Sequence, residues 1–199
     1  MENYKTSSRG GAGNTGTIVG IGLLTAIVVV LQFVSMALRF SAFSITLNLV
    51  PIVVGAALYG KAVGAWLGLV FGLSVLLTGD AGLFLAISIP GTIITVLLKG
   101  ALAGLCAGIV YRLVAKKNGV AAVLAASVTA PLVNTGVFVL GCLVFFMDYV
   151  NELAAGSNAF LFILTAFVGG NFFVELGINL VLNPAVVRIV KIGKEHFKK

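Results

Sequence analysis

Two ionisable side chains stand inside long apolar runs. Lys99 closes the stretch Thr92-Ile-Ile-Thr95-Val-Leu-Leu-Lys99, and Glu175 sits at the centre of Asn171-Phe-Phe-Val-Glu175-Leu-Gly-Ile-Asn179. In a bilayer each would cost roughly 2.5–3.5 kcal/mol at mid-depth on insertion scales, and charges retained there mark ion pairs, relays or ligand sites. Their neighbours are polar at helical spacing. Asn171, Glu175 and Asn179 recur every four residues and share one face; Thr92, Thr95 and Lys99 follow three-and-four spacing on another segment. Asn134 and Thr135 come just after Pro131, whose missing N–H frees a carbonyl one turn earlier. This constellation is either a structural Lys99–Glu175 pair with interhelical amide bonds, each worth about 0.6 kcal/mol, or the wall of a polar cavity. The two readings are compatible. The candidate ligand-binding residues are Thr95, Lys99, Asn134, Thr135, Asn171, Glu175 and Asn179.

Other chemistry is poorly provided for. Residues 55–62, Gly-Ala-Ala-Leu-Tyr-Gly-Lys-Ala, have nearly the glycine and lysine spacing of a phosphate-cradling loop, but Ala62 stands where a magnesium-binding hydroxyl is required. Cys106 and Cys142 lie in apolar runs and read as packing residues, and His196, the single histidine, lies in a basic tail. There is no HExxH motif and no Ser/His/Asp set able to assemble. No catalytic residue, metal site or cofactor is expected.

These residues must be positioned by membrane-spanning elements. The chain of 199 residues is 60% hydrophobic and 10% charged, with a mean hydropathy of +1.16, whereas soluble domains carry about 25% charged residues. At about 20 residues per crossing, spans are expected at 17–38, 42–58, 62–77, 84–114, 120–147 and 159–189. The expected fold is an all-α integral membrane protein, a bundle of six transmembrane helices in the cell membrane. Residues 1–15 form a disordered polar tail, 16–191 the transmembrane domain and 192–199 a basic tail. With both termini cytoplasmic, the inner segments collect Lys5, Arg9, Lys61, Arg112, Lys116, Lys117, Arg188, Lys191, Lys194, Lys198 and Lys199, while Arg39 is the only base outside, beside Asp80, Asp148 and Glu152. Topology thus accounts for the net charge of +7, and no nucleic-acid partner is needed. Residues 42–77 form either two crossings or a re-entrant hairpin.

Small residues recur four apart at Gly22/Ala26, at Gly64/Gly68/Gly72 and at Gly100/Gly104/Gly108, a spacing that lets helices approach closely. Phe84, Phe145, Phe146, Tyr149 and Phe160 lie near the outer ends, as interface anchors or as cover for a flat ligand.

The hairpin Leu49-Val-Pro-Ile-Val-Val-Gly-Ala-Ala-Leu-Tyr-Gly-Lys-Ala-Val-Gly64, the glycine-punctuated third span through Phe71-Gly72, Asn134-Thr135, and Glu175 with Asn179 and Pro184 together resemble the substrate-binding S components of energy-coupling factor (ECF) vitamin transporters. The resemblance covers about residues 17–191. It implies capture of a vitamin or related micronutrient from outside, followed by release inside through a transmembrane coupling protein and two ATPase subunits. It further implies that Gly22 and Ala26 dock on the coupling protein, in place of the Ala-x-x-x-Ala patch common in the family, and that loops near residues 39–43, 78–83 and 148–158 cap the ligand. The competing reading from the residues is a self-sufficient secondary transporter using Glu175 as a proton or ion site. An intramembrane enzyme is the least supported class.

Overall fold

The computed structural model describes residues 11–37 and 46–197, which are helical almost throughout, with no strand among them. The helices are α1 (Gly11–Ala37), α2 (Leu49–Tyr59), α3 (Lys61–Leu77), α4 (Gly82–Ile87), α5 (Ile89–Val114), α6 (Gly119–Phe145), α7 (Met147–Ala154), α8 (Ala159–Phe162), α9 (Gly170–Val181) and α10 (Asn183–Phe197), with a π-helical segment, Ile163–Gly169, between α8 and α9. Helix α1 begins inside the segment expected as a polar tail, and α10 runs through most of the basic C-terminal segment. Residues 1–10, including most of that polar tail, lie outside the described residues, as does the 39–43 loop.

Each break has a local cause. Gly60 separates α2 from α3 with φ 99, a left-handed value that favours glycine. The expected span 84–114 is divided at Ser88, whose extended backbone ends α4 and whose Oγ accepts a hydrogen bond from the Gly91 N–H, with Pro90 in the first turn of α5. Asn118 caps α6 by accepting from the N–H groups of Val120 and Ala121. The expected span 159–189 is divided most: after the π-helical segment, residues 172–181 and 183–195 meet at a bend of 51°. The bend falls at Asn183-Pro184, where proline cannot donate to the preceding turn. Asn183 Nδ2 donates to Ser127 Oγ at 3.0 Å, tying the bend to α6 one turn before Pro131.

Residues 15–37 together with α5 and α6 are long and apolar enough to cross a membrane, and the bent pair makes a fourth candidate. Helix α2, with 11 residues, spans about 16 Å at 1.5 Å per residue, against a hydrocarbon core of about 30 Å. Nearly all of it is buried in protein. Residues 49–77 therefore form a hairpin whose first arm sits inside the bundle.

The closest packing joins α3 to α5. A Cβ built on Gly64, Gly68 or Gly72 would run into the backbone of Gly104, Gly100 or Val96, and one on Gly108 would meet the backbone of Lys61. These two glycine rows are therefore an intramolecular seam. The first-span pair differs, because Gly22 has no atom within 4 Å of such a Cβ and both it and Ala26 are exposed. Around them α1 exposes Val19, Leu23, Val30 and Phe33, so the notch lies in a bulky apolar face. The contact of Lys61 with Gly108, and of Lys194 with Tyr111, gathers the basic residues of the α2–α3 turn and α10 at one end of the bundle.

The seam predicts an asymmetry between glycines. Gly68→Val should destabilise the purified protein by about 1–3 kcal/mol through overpacking, whereas Gly22→Val should leave thermal unfolding in detergent nearly unchanged. Equal effects at the two positions would contradict the packing described.

Candidate functional site

The polar constellation forms around Glu175. Its carboxylate is buried and accepts hydrogen bonds from the side chains of Thr46, just before α2, and Asn134 on α6. Lys99, partly buried on α5, lies near enough to Glu175 for the two charges to interact. Its Nζ lies 5.9 Å from the centroid of the Phe71 ring and 5.5 Å from that of Phe138, within the range in which an aromatic face attracts a cation. The glycine seam makes this possible, because Phe71 packs beside Gly100 on the α5 turn that carries Lys99. Three helices and the segment just before α2 thus place a cation, a carboxylate, an amide and a hydroxyl together.

Thr95 lies one turn from Lys99 and is 3% exposed. It packs on Gly141, where an added Cβ would collide with the threonine side chain. Asn134 is 5% exposed, and both Asn134 Oδ1 and Thr95 Oγ1 are buried without a hydrogen-bond partner. Buried polar atoms in folded proteins are paired in the great majority of cases. Three side-chain atoms are exceptions among the described residues: Asn48 Oδ1 just before α2, and these two among the candidate residues.

The other expected residues fare differently. Asn179 is buried, but its Nδ2 donates to the Glu175 backbone oxygen at 2.8 Å, an i to i−4 bond within its own helix. It braces α9 instead of extending the polar wall. Thr92 likewise turns back on its own helix, bonding the Ser88 oxygen at 2.7 Å. Thr135 is partly buried beside Asn134. The side chain of Asn171 lies outside the described residues. Among the expected aromatics, Phe84 packs edge-on against Phe138 and Phe146 with centroids at 5.5 and 5.0 Å, extending an apolar wall from the Lys99 site. Phe160 is largely exposed.

Several participants were not anticipated from the sequence. Thr46 lies within the expected 42–58 span but has no polar residue three or four positions away, so its spacing carried no signal; Phe71 and Phe138 were two apolar residues among many. A second polar network was also missed. Gln32 on α1, 1% exposed, accepts from Asn48 Nδ2 at 2.8 Å and donates to Asp80 at 3.1 Å, while Ser35 Oγ accepts from the Leu47 N–H at 3.4 Å. Its signal was the isolated Gln32 in an otherwise apolar span. It pins residues 47 and 48, next to Thr46, to α1 and to the turn after α3. No cluster of three or more His, Cys, Asp or Glu side chains suited to a metal occurs among the described residues.

A sequence model described as the ECF transporter substrate-specific component matches residues 16–187, most of the chain. The chain belongs to this family. Comparison with curated proteins and with solved structures gave no match. As an S component the protein is a membrane-embedded, substrate-binding part of a transport system, and its family is not one of enzymes. For an S component, a polar cluster enclosed by apolar helices is the natural place to look for substrate.

The joint at Glu175 predicts its own sensitivity. Glu175→Ala strands the Thr46 and Asn134 donors and removes the counter-charge to Lys99, so it should destabilise the purified chain by about 3 kcal/mol. Glu175→Gln keeps an oxygen acceptor and should lose less. Thermal unfolding in detergent checks both, and wild-type stability of Glu175→Ala would contradict the role of the carboxylate.

Proposed function

We propose that this S component captures a vitamin or related small micronutrient in the cluster formed by Thr95, Lys99, Asn134 and Glu175, with Thr135, Asn171 and Asn179 at its margin. The observation that carries the reading is the pair of buried, unpartnered polar atoms beside Lys99 and Glu175. Buried polar atoms without partners are costly, and a ligand with matching groups supplies the missing bonds. Structural ion pairing alone would favour closing every bond within the protein.

In the same proposal the chain has both termini in the cytoplasm of a cell with this protein in its plasma membrane. The basic end of the bundle then faces inward, in keeping with the positive-inside rule. Six crossings require the α2–α3 hairpin to count as two, and the short, buried α2 makes this hairpin the part of that topology most open to a re-entrant course. Import is driven by a transmembrane coupling protein and two ATPase subunits, so ATP is hydrolysed outside this chain. The exposed Gly22–Ala26 notch on α1 supports docking there, since small residues let a partner helix approach closely. A secondary transporter working through Glu175 fits less well. Transporters of that class commonly build their sites from paired broken helices, and the described residues contain one bent pair.

Uptake tests the assignment. Proteoliposomes holding this chain with its energising module should accumulate the ligand only with ATP inside the compartment bearing the ATPases. Ala26→Trp should abolish that uptake while leaving ligand binding by the isolated chain intact. Accumulation by the isolated chain, driven by a proton gradient and lost in Glu175→Gln, would instead establish the secondary transporter.

A further inference from the structure

The two unpartnered atoms also describe what should meet them. Asn134 makes a side-chain hydrogen bond to Glu175, and its Oδ1 is the atom left without a partner; an amide oxygen requires a donor. Thr95 is unusual among the threonines. Thr25, Thr78, Thr92, Thr129 and Thr165 each bond the carbonyl four residues earlier. Thr95 Oγ1 has no such partner and instead lies at the contact of α5 with Gly141 of α6. Lys99 holds its ammonium over two aromatic faces, which engage the charge and leave N–H donors for a ligand oxygen. Glu175 offsets the lysine charge at the same place, so the site offers little net attraction to an anion.

We propose that the ligand is an uncharged ring compound with an amide-type edge, an N–H beside a C=O. This rests on the reading of the cluster as the ligand site. The ring N–H donates to Asn134 Oδ1, the ring carbonyl accepts from Lys99 Nζ, and the Thr95 hydroxyl takes a further polar atom of the ring. Phe71 and Phe138 supply apolar contact, with Phe84 and Phe146 extending the wall beyond Phe138. The unpartnered atoms are closed to water in this conformation, so binding requires the helices to part. The π-helical segment before α9 shares an apolar cluster with Phe138 and Phe146 through Ile163 and Val168, and such segments often accompany functional sites.

The test is calorimetric titration of the purified full chain with quinazoline-2,4-dione, its 1,3-dimethyl derivative and 2-naphthoate. The dione should bind; the dimethyl compound, with no N–H, should bind about tenfold more weakly, the worth of one buried hydrogen bond; and 2-naphthoate should bind more weakly than the dione. Asn134→Leu should bring the dione down to the level of its dimethyl derivative. Should that variant fail to fold, Thr95→Val, which keeps the side-chain shape, should weaken the dione. Equal binding of the dione and its dimethyl derivative, preference for 2-naphthoate, or binding of none of the three would overturn the assignment. If none binds and the wild-type chain still releases a small molecule on denaturation, the ligand class is wrong and the capture reading stands; if nothing is released, both fall.

Discussion

A carboxylate enclosed by apolar helices has to be supplied with donors, and much of this structure follows from where those donors come from. Leaving an ion unpaired in such surroundings is far costlier than any single packing contact. Glu175 meets the requirement with hydrogen bonds from Thr46 and Asn134 and with the nearby charge of Lys99. One side chain thereby draws together α5, α6, α9 and the segment leading into α2. That segment is held from its other side by the Gln32–Asn48–Asp80 network. The two polar networks therefore meet at residues 46–48 and connect the α1 face to the site.

Packing sets the remaining positions. The α3–α5 seam brings backbones together through paired glycines, and this proximity places Phe71 near Lys99. Gly141 does the same between α6 and α5, admitting Thr95 at a contact that any larger residue would fill. The glycines thus do more than allow tight packing: they decide which side chains line the cluster. By contrast, Gly22 and Ala26 face outward, with no described atom within 4 Å of a Cβ built on Gly22, and this contrast separates a seam within the bundle from a surface available to another protein.

Much of this was readable from residue types and spacing. Composition established an all-helical membrane protein, the four-residue glycine spacing marked the α3–α5 seam, and the isolated charges pointed to Lys99 and Glu175. Spacing could not tell which way a polar side chain turns. Asn179 shares the Glu175 face, yet it bonds its own helix, because a carbonyl one turn away competes with any partner across the bundle. Nor did hydropathy reveal the breaks at Ser88, at 163–169 and at Asn183-Pro184, since a broken helix and a straight one have the same apolar content. Thr46 was invisible because its role depends on a contact between segments distant in sequence. The brevity of α2 appeared as an alternative, a re-entrant hairpin, and its burial gives that alternative its physical basis.

The central claim is that the cluster around Glu175 holds a small molecule in the membrane. The most direct measurement is mass spectrometry of the compounds released on denaturing the purified wild-type chain and its Lys99→Ala and Asn134→Ala variants. The account predicts one small organic molecule from the wild type, near one per chain, that is depleted in both folded variants. Its absence from the wild type, or equal recovery from folded variants, would contradict the assignment of the site.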